Sequence, residues 1–376
     1  MKICTITCHD VYNHGASLQA YGLMKYLMNC GHEVEIIDYK PDYLSNHYKL
    51  LDINNPKWEK NIVTKLIYLT LKIPGRVSGL KRKKAFDRFT SQYLKLTKSR
   101  FNSNEELKKN LPYADAYLCG SDQIWNTLHR NGKDPAFYLD FVPNEKIKAS
   151  YAASFATDTI SDQYKLIVKE RVERLGGVGV REKSGVEILR RLDINKAVNV
   201  VDPVFLLGQE EWNNIGTREF KEKYILIYDF DNSDLIKKMA KQISKEKGYK
   251  IYTINQSKLK YADEYYIFDG PETFVSLVRN AQYVMSNSFH AAVFSIIYEK
   301  DFVIVNRKEA INTRMRDLLD DLKLNNRLVN EDYKLNQLLE KVDYKESKKM
   351  LNEKIEFSKS YLEGVLFKNG RVTNIL

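Results

Sequence analysis

Tyr283-Val-Met-Ser-Asn-Ser-Phe-His290, continued by Ala-Ala-Val-Phe-Ser-Ile-Ile-Tyr298 and Asp301-Phe-Val-Ile-Val-Asn306, decides the fold. An apolar run of strand length ends in Ser286, Asn287 and Ser288. His290 then opens an apolar helix, and a second apolar strand follows. Strand, helix and strand at this spacing form one parallel unit of an open α/β sheet, in which ligands bind beyond the carboxyl ends of the strands. A helix N-terminus at that edge offers unpaired N–H groups and a partial positive charge to an anion. Histidine is the residue type that titrates near neutral pH, and His290 is the one histidine in this stretch. The segment therefore reads as an active site, with Asn287 and Ser288 lining it.

Working outward, strands are expected at residues 224–228, 250–254, 265–268, 283–286 and 302–305, with helices at 233–247, 272–280 and 290–299 between them. Before Asp202-Pro203 the same alternation places strands at 2–7, 33–39, 116–119, 148–153, 177–180 and 197–200. Strands alternating with helices imply parallel sheets. The fold class is thus α/β, with two Rossmann-like doubly wound domains facing a cleft. The expected division is 1–205, carrying a basic helical insertion at 57–100, then 206–330. A tail at 331–376, rich in Lys, Glu and Leu, reads as helices packing back on the first domain.

With 376 residues, 43% of them hydrophobic, the chain can bury a large core. No apolar window reaches membrane-spanning length, and the N-terminus reads as a strand rather than a signal peptide. Cys4, Cys8, Cys30 and Cys119 lack metal-ligand spacing and read as reduced thiols, which points to the cytoplasm. The net charge of +11 is concentrated: residues 57–100 hold 13 Lys and Arg against Glu59 and Asp87, a surplus equal to that of the whole chain. Apolar residues at roughly helical spacing (Ile62, Val63, Leu66, Ile67, Leu69, Leu71, Ile73) precede Pro74-Gly75, where a break is expected. A solvated basic face is one reading of this insertion; docking on an anionic membrane surface from the cytoplasmic side is another. No groove-reading motif supports a nucleic-acid partner.

Four constellations carry chemistry. After the first strand, Asn13, Gly15 and Gln19 form a strand–turn–helix mouth, with Ser17 as a helix cap; a purely structural turn fits as well. Gly120-Ser-Asp-Gln-Ile-Trp-Asn126 gathers Ser121, Asp122, Gln123, Trp125 and Asn126 at a strand end, a set suited to a polyhydroxylated ligand; the alternative is a capped turn with Trp125 in the core. Arg181 ends the strand Gly177-Val-Gly-Val180 and offers a fork for carboxylate or phosphate, unless it pairs with Glu182. Arg307 and Arg314 follow the strand after His290 and extend the anion site. Residues 273–298 contain no Asp or Glu, which favours a small anionic donor over a nucleotide sugar.

Together these segments resemble the polysaccharide pyruvyl transferase family. The likeness runs from Met1 to about Leu322 and rests on Asn13-x-Gly15-x-x-Leu18-Gln19-Ala20, residues 120–126, Ser150-Tyr-Ala-Ala-Ser-Phe155, Val180-Arg-Glu182, Val201-Asp-Pro203, Ser288-Phe-His290 and Asn312-Thr-Arg-Met315. The resemblance implies a GT-B-like glycosyltransferase architecture. It implies transfer of a pyruvyl group from phosphoenolpyruvate, as co-substrate, to two hydroxyls of a saccharide, which is often lipid-linked. Beyond that co-substrate it implies no cofactor, and the sequence shows no metal cluster. Arg181 and His290 would be the family's catalytic pair. Some members have Arg-Leu-His where this chain has Ser288-Phe-His290, and Arg307 or Arg314 would then supply the missing charge. A nucleotide-sugar glycosyltransferase and a non-catalytic saccharide- or membrane-binding scaffold are the competing readings.

Overall fold

The computed structural model describes residues 1–45 and 61–367. Residues 57–60 of the expected insertion and 368–376 of the expected tail lie outside them. Two all-parallel sheets carry the chain. The first is ordered β3-β2-β1-β4-β5-β6-β7, from β1 (Lys2–Ile6), β2 (Glu33–Tyr39), β3 (Leu96–Phe101), β4 (Ala116–Cys119), β5 (Ile147–Ala153), β6 (Gly177–Val180) and β7 (Ala197–Asn199). The second is ordered β10-β9-β8-β11-β12-β13, from β8 (Tyr224–Tyr228), β9 (Lys250–Thr253), β10 (Glu264–Tyr265), β11 (Tyr283–Ser286), β12 (Asp301–Val305) and β13 (Leu328–Val329). Central strands such as Tyr-Ile-Leu-Ile-Tyr in β8 are buried on both faces, which is why they read as continuous apolar runs.

Helices cover both sheets. Helix α1 (His14–Asn29) starts at Asn13, whose side chain accepts a hydrogen bond from the Ala16 N–H; the cap is therefore Asn13 and not Ser17, which is buried one turn later. Apolar burial runs unbroken from one half to the other. Tyr21 of α1 meets Trp212 edge-to-face at 5.7 Å, and Trp212 meets Phe294 of the second half at 5.0 Å. The C-terminal helix Lys345–Phe367 returns to the first sheet, where the Tyr361 hydroxyl donates to Ser150 O at 2.8 Å and Ser358 Oγ accepts from Val201 N–H at 2.9 Å. Residues just before it stay with the second sheet: Leu338 is buried there and the Tyr333 hydroxyl reaches Gln242.

The basic insertion differs from expectation in two ways. Its helix, Ile62–Tyr93, continues through residues 74–75. An internal proline costs about 3 kcal/mol and one hydrogen bond, and here the buried Phe86 and Phe89 hold the helix beyond it. Its end is not helical: Leu96–Phe101 is an edge strand beside β2. Lys98, Ser99 and Arg100 give it the polar, charged character typical of a protected edge, which conceals the strand pattern.

Candidate active site

A cavity of about 500 Å³ lies between the carboxyl ends of the two sheets. The first half contributes Asn13, Asp122 and Gln123 to its wall, and the second half Asn287, Ser288, His290, Arg307 and Arg314. Two helix N-termini meet there, that of α1 and that of the helix Phe289–Ile297, which is apolar on all sides and almost wholly buried. Their close approach explains Gly15. A Cβ at that position would collide with the His290 ring, so Gly15 is the floor on which the imidazole sits, not a ligand-binding residue in its own right.

His290 is 5% exposed, and its Nε2 is enclosed 3.5 Å from Asp202 Oδ2, longer than an ordinary N–H···O hydrogen bond. Asp202 is the middle residue of Val201-Asp-Pro203. Its Oδ1 accepts from Val204 N–H at 3.0 Å and its Oδ2 from Arg181 at 2.9 Å. Burial would push the Asp202 carboxyl up, but His290, Arg181 and the Val204 N–H outweigh burial and hold it well below the usual range. Asp202 thus stays ionised behind His290. Sequence reasoning quoted this residue without giving it a role; an aspartate placed just after the last strand of the first sheet was the available signal.

Arg181 does not reach the cavity. Its side chain is 1% exposed and lies behind Phe289, 4.3 Å from that ring. It donates to Glu182 and Asp202, both at 2.9 Å, and stands 3.8 Å from Asp122. Burial alone would lower its pKa, yet the three carboxylates raise it. The expected donor-binding fork is a committed ion-pair hub, close to the Glu182 alternative.

Arg314 is its opposite. It is 6% exposed and lines the cavity, and among the described residues no carboxylate lies within 4 Å of it; its Nε reaches only Ile311 O at 3.4 Å. Burial, reinforced by Arg181, lowers its pKa to about 10. Arg307 stacks 4.8 Å over Phe230 and is loosely held by Glu309 at 3.3 Å and Asp231 at 3.7 Å, with its Nε unpartnered. A guanidinium removed from water without a counter-ion is a costly arrangement that an incoming anion would relieve.

Four other expected ligand-binding residues are spent inside the protein. Trp125 is fully buried, stacked on Tyr138 at 5.4 Å, and donates to Phe137 O. Gln19 donates to Thr7 Oγ1 and Ala16 O and accepts from Ser121 N–H, while the Ser121 hydroxyl donates to Ala152 O. Asn126 donates to Gln123 Oε1 and accepts from Leu128 N–H. These side chains shape the turn and leave Asp122 and Gln123 to face the cavity. The structure also adds wall residues that the sequence did not flag. His129, 3.2 Å from Glu309, is a second histidine on the wall, and Arg130, Tyr43 and Phe230 join it. The apparent lack of carboxylates in the C-terminal site is corrected too. Asp229 and Asp231, from the end of β8, accept from Asn287 Nδ2 at 2.7 and 3.2 Å. Among the described residues no cluster of His, Cys, Asp and Glu is arranged to hold a metal ion.

Comparison with known proteins fits this geometry. No curated protein matches the chain in sequence. Among solved structures, one from Listeria monocytogenes described as a UDP-N-acetylglucosamine 2-epimerase is 9% identical, with 100% of this chain and 99% of that chain covered and a TM-score of 0.51. A UDP-GlcNAc 2-epimerase from Methanocaldococcus jannaschii is 13% identical, covering 94% and 93%, at a TM-score of 0.48. At such identity the first likeness shows the fold alone, the two-domain GT-B arrangement. The family model for polysaccharide pyruvyl transferase matches residues 13–309, a span that includes every cavity residue named above except Arg314. The chain belongs to the polysaccharide pyruvyl transferase family.

Proposed function

We propose that the cavity takes phosphoenolpyruvate and transfers its pyruvyl group to two hydroxyls of a saccharide, forming a cyclic ketal and phosphate. The observation that carries this reading is Arg314, a buried guanidinium without an ion-pair partner among the described residues, on the same wall as Arg307 and a helix N-terminus. Phosphoenolpyruvate brings a carboxylate and a phosphate, and two arginine forks with backbone N–H donors are suited to that pair. Arg314 and Arg307 take the role first expected of Arg181, and supply the charge missing at Ser288. Asp122 and Gln123 face the same space with a carboxylate and an amide, groups suited to sugar hydroxyls, whereas Asn13 Oδ1 caps Ala16 N–H and Asn287, which also line the wall, is spent between Phe230 N–H, Asp229 and Asp231.

In this reaction the enol carbon gains a proton, one hydroxyl adds to the adjacent carbon, and the second hydroxyl displaces phosphate. One hydroxyl proton ends on the new methyl group and the other on phosphate. His290 moves the proton between hydroxyl and carbon, a contribution of roughly 10²–10⁴-fold in rate. Because Nε2 is enclosed against Asp202, the exchange passes through Nδ1, and Asp202 stabilises the ring while it carries two protons. Arg314 and Arg307 hold the donor and offset charge as phosphate departs. The acceptor is read as a lipid-linked glycan on the cytoplasmic face. All four cysteines are unpaired, and no described helix is long and apolar enough to cross a membrane.

Asp229 and Asp231 favour one second reading, a nucleotide-sugar glycosyltransferase, since carboxylates near this helix could engage ribose or sugar hydroxyls. Calorimetric titration separates the two. The first reading requires wild type to bind phosphoenolpyruvate and Arg314→Met to lose it while remaining folded. Binding of a uridine or guanosine diphosphate sugar, with no heat from phosphoenolpyruvate even beside saccharides, would move the assignment to the second.

A further inference from the structure

The helix Ile62–Tyr93 has two halves with opposite environments. Its C-terminal half is built into the body. Arg82 is buried over Phe86 at 4.7 Å and donates to Tyr12 O at 3.3 Å in one half of the molecule and to Ile267 O at 3.2 Å in the other. Arg88 pairs with Glu272 at 2.5 Å. The N-terminal half buries Tyr68 but is open on one side: Ile62, Val63, Leu66 and Leu71 are 75%, 60%, 58% and 69% exposed, and Ile67 and Val77 are exposed as well. At 3.6 residues per turn these positions fall within one half of the helix circumference. Exposed Lys81 and Lys84 continue the same side. Neither they nor Lys65 have a carboxylate within 4 Å among the described residues, whereas Lys83 is neutralised by Asp87 at 2.5 Å. Over its whole length the helix carries eight Lys and Arg and a single acid, Asp87.

We propose that this face docks on an anionic lipid bilayer, with the aliphatic side chains at acyl depth and the lysines among the headgroups. An aliphatic patch of this kind on an isolated surface calls for a partner, and the surrounding positive charge selects a negative one. A second copy of the chain is disfavoured, because a symmetric contact would bring two basic helices together. Nucleic acid would use the charge but not the isoleucines and leucines. Arg82 ties the docked helix to Tyr12, next to Asn13 on the cavity wall, so docking fixes the cleft relative to the membrane surface. On the pyruvyl-transfer reading, on which this consequence rests, the site then meets a saccharide carried by a membrane lipid.

The test is sedimentation of the full chain with vesicles of phosphatidylcholine alone, or with about a third phosphatidylglycerol, at low and high salt. Binding should require the anionic lipid and weaken with salt. Lys84→Glu should reduce partitioning roughly fivefold or more, and Ile62→Glu/Leu66→Glu on the order of tenfold or more. Thermal unfolding and phosphoenolpyruvate titration should be unchanged in these variants, so failure of docking and failure of the site assignment are distinguishable. Equal binding to neutral and anionic vesicles, or a double variant that pellets like wild type, overturns the proposal. So does a dimer in sedimentation velocity that dissolves in the double variant, which would give the face to a second copy.

Discussion

The turn at residues 120–126 and the wall around His290 are equally dense in polar side chains at strand ends, and they use them differently. In the turn, Ser121, Trp125 and Asn126 give their donors and acceptors to neighbouring backbone and side chains. On the wall, among the described residues, Arg314 lacks a counter-ion, Arg307 Nε lacks an acceptor and His290 Nε2 has only a long contact. Polar density is therefore a poor guide to function. What separates scaffold from site here is whether a buried charge is already met by its neighbours: Arg181, although its Nη2 also lacks a hydrogen-bond acceptor among the described residues, lies behind Phe289 with its charge met by Glu182 and Asp202.

The largest test of this contrast is His290→Gln. Turnover, followed as phosphate release from phosphoenolpyruvate with an acceptor saccharide, should fall by roughly 10²–10⁴-fold while donor affinity stays near wild type. Full turnover in that variant would remove His290 as the proton carrier and with it the chemical half of the comparison.

Arg181 should behave as scaffold. Arg181→Met strands Asp202 and Glu182 as buried, uncompensated carboxylates, so unfolding by urea should show a loss of about 3–5 kcal/mol. The hub is finely balanced. Burial raises the Glu182 carboxyl against the pull of Arg181, while Asp202 beside it is held low. If Arg181→Met unfolds like wild type yet no longer binds the donor, the fork belongs to the site after all.

Arg314→Met should reverse that pattern. Donor affinity should drop on the order of a hundredfold, as expected on losing charge-assisted bonds, while the unliganded protein is as stable as wild type or more so. The sign follows from the lowered pKa: a base held near 10 when folded and 12.5 when unfolded disfavours folding at every pH below about 10. A clear loss of stability in unliganded Arg314→Met would mean the residue is a structural ion-pair member, and the distinction from Arg181 would fail.

Much of the architecture was legible in the sequence because buried parallel strands such as β8 and β12 are unbroken apolar runs bounded by turns. The edge strand Leu96–Phe101 was not, since edges are protected by the charges that make a segment look like a solvated helix. The site was half legible for a related reason. Sequence shows that Gly15 and Gln19 follow the first strand, and Ser121 and Trp125 the strand ending at Cys119, but not that Gln19 and Ser121 bond each other or that Trp125 turns inward to Phe137. Asp202 and His290 are 88 positions apart in the chain, and no local pattern announces that Gly15 leaves room for them to face each other. The carboxylates near Asn287 were missed because they arrive from β8, a strand paired with β11 but distant in sequence.

The smallest predicted effect tests whether satisfied polar networks stabilise by degrees set by burial. Outside the cavity, Asp38 accepts from His9 at 3.2 Å and Arg100 at 3.2 Å and lies 3.4 Å from Lys40. Burial pushes its carboxyl up, but these partners outweigh burial and bring it to about 2. A folded pKa below the unfolded value of 3.8 means stability that is present above about pH 4 and lost as pH falls through 2. Arg100 is largely exposed, so solvent screening limits the contribution to the order of 1 kcal/mol. Asp38→Asn should lower neutral-pH stability by that amount and flatten the acid-unfolding slope between pH 4 and 2, without changing donor affinity. A loss as large as that of Arg181→Met would mean that burial does not grade these networks, and the buried hub around Asp202 would have no special claim as the scaffold of the site.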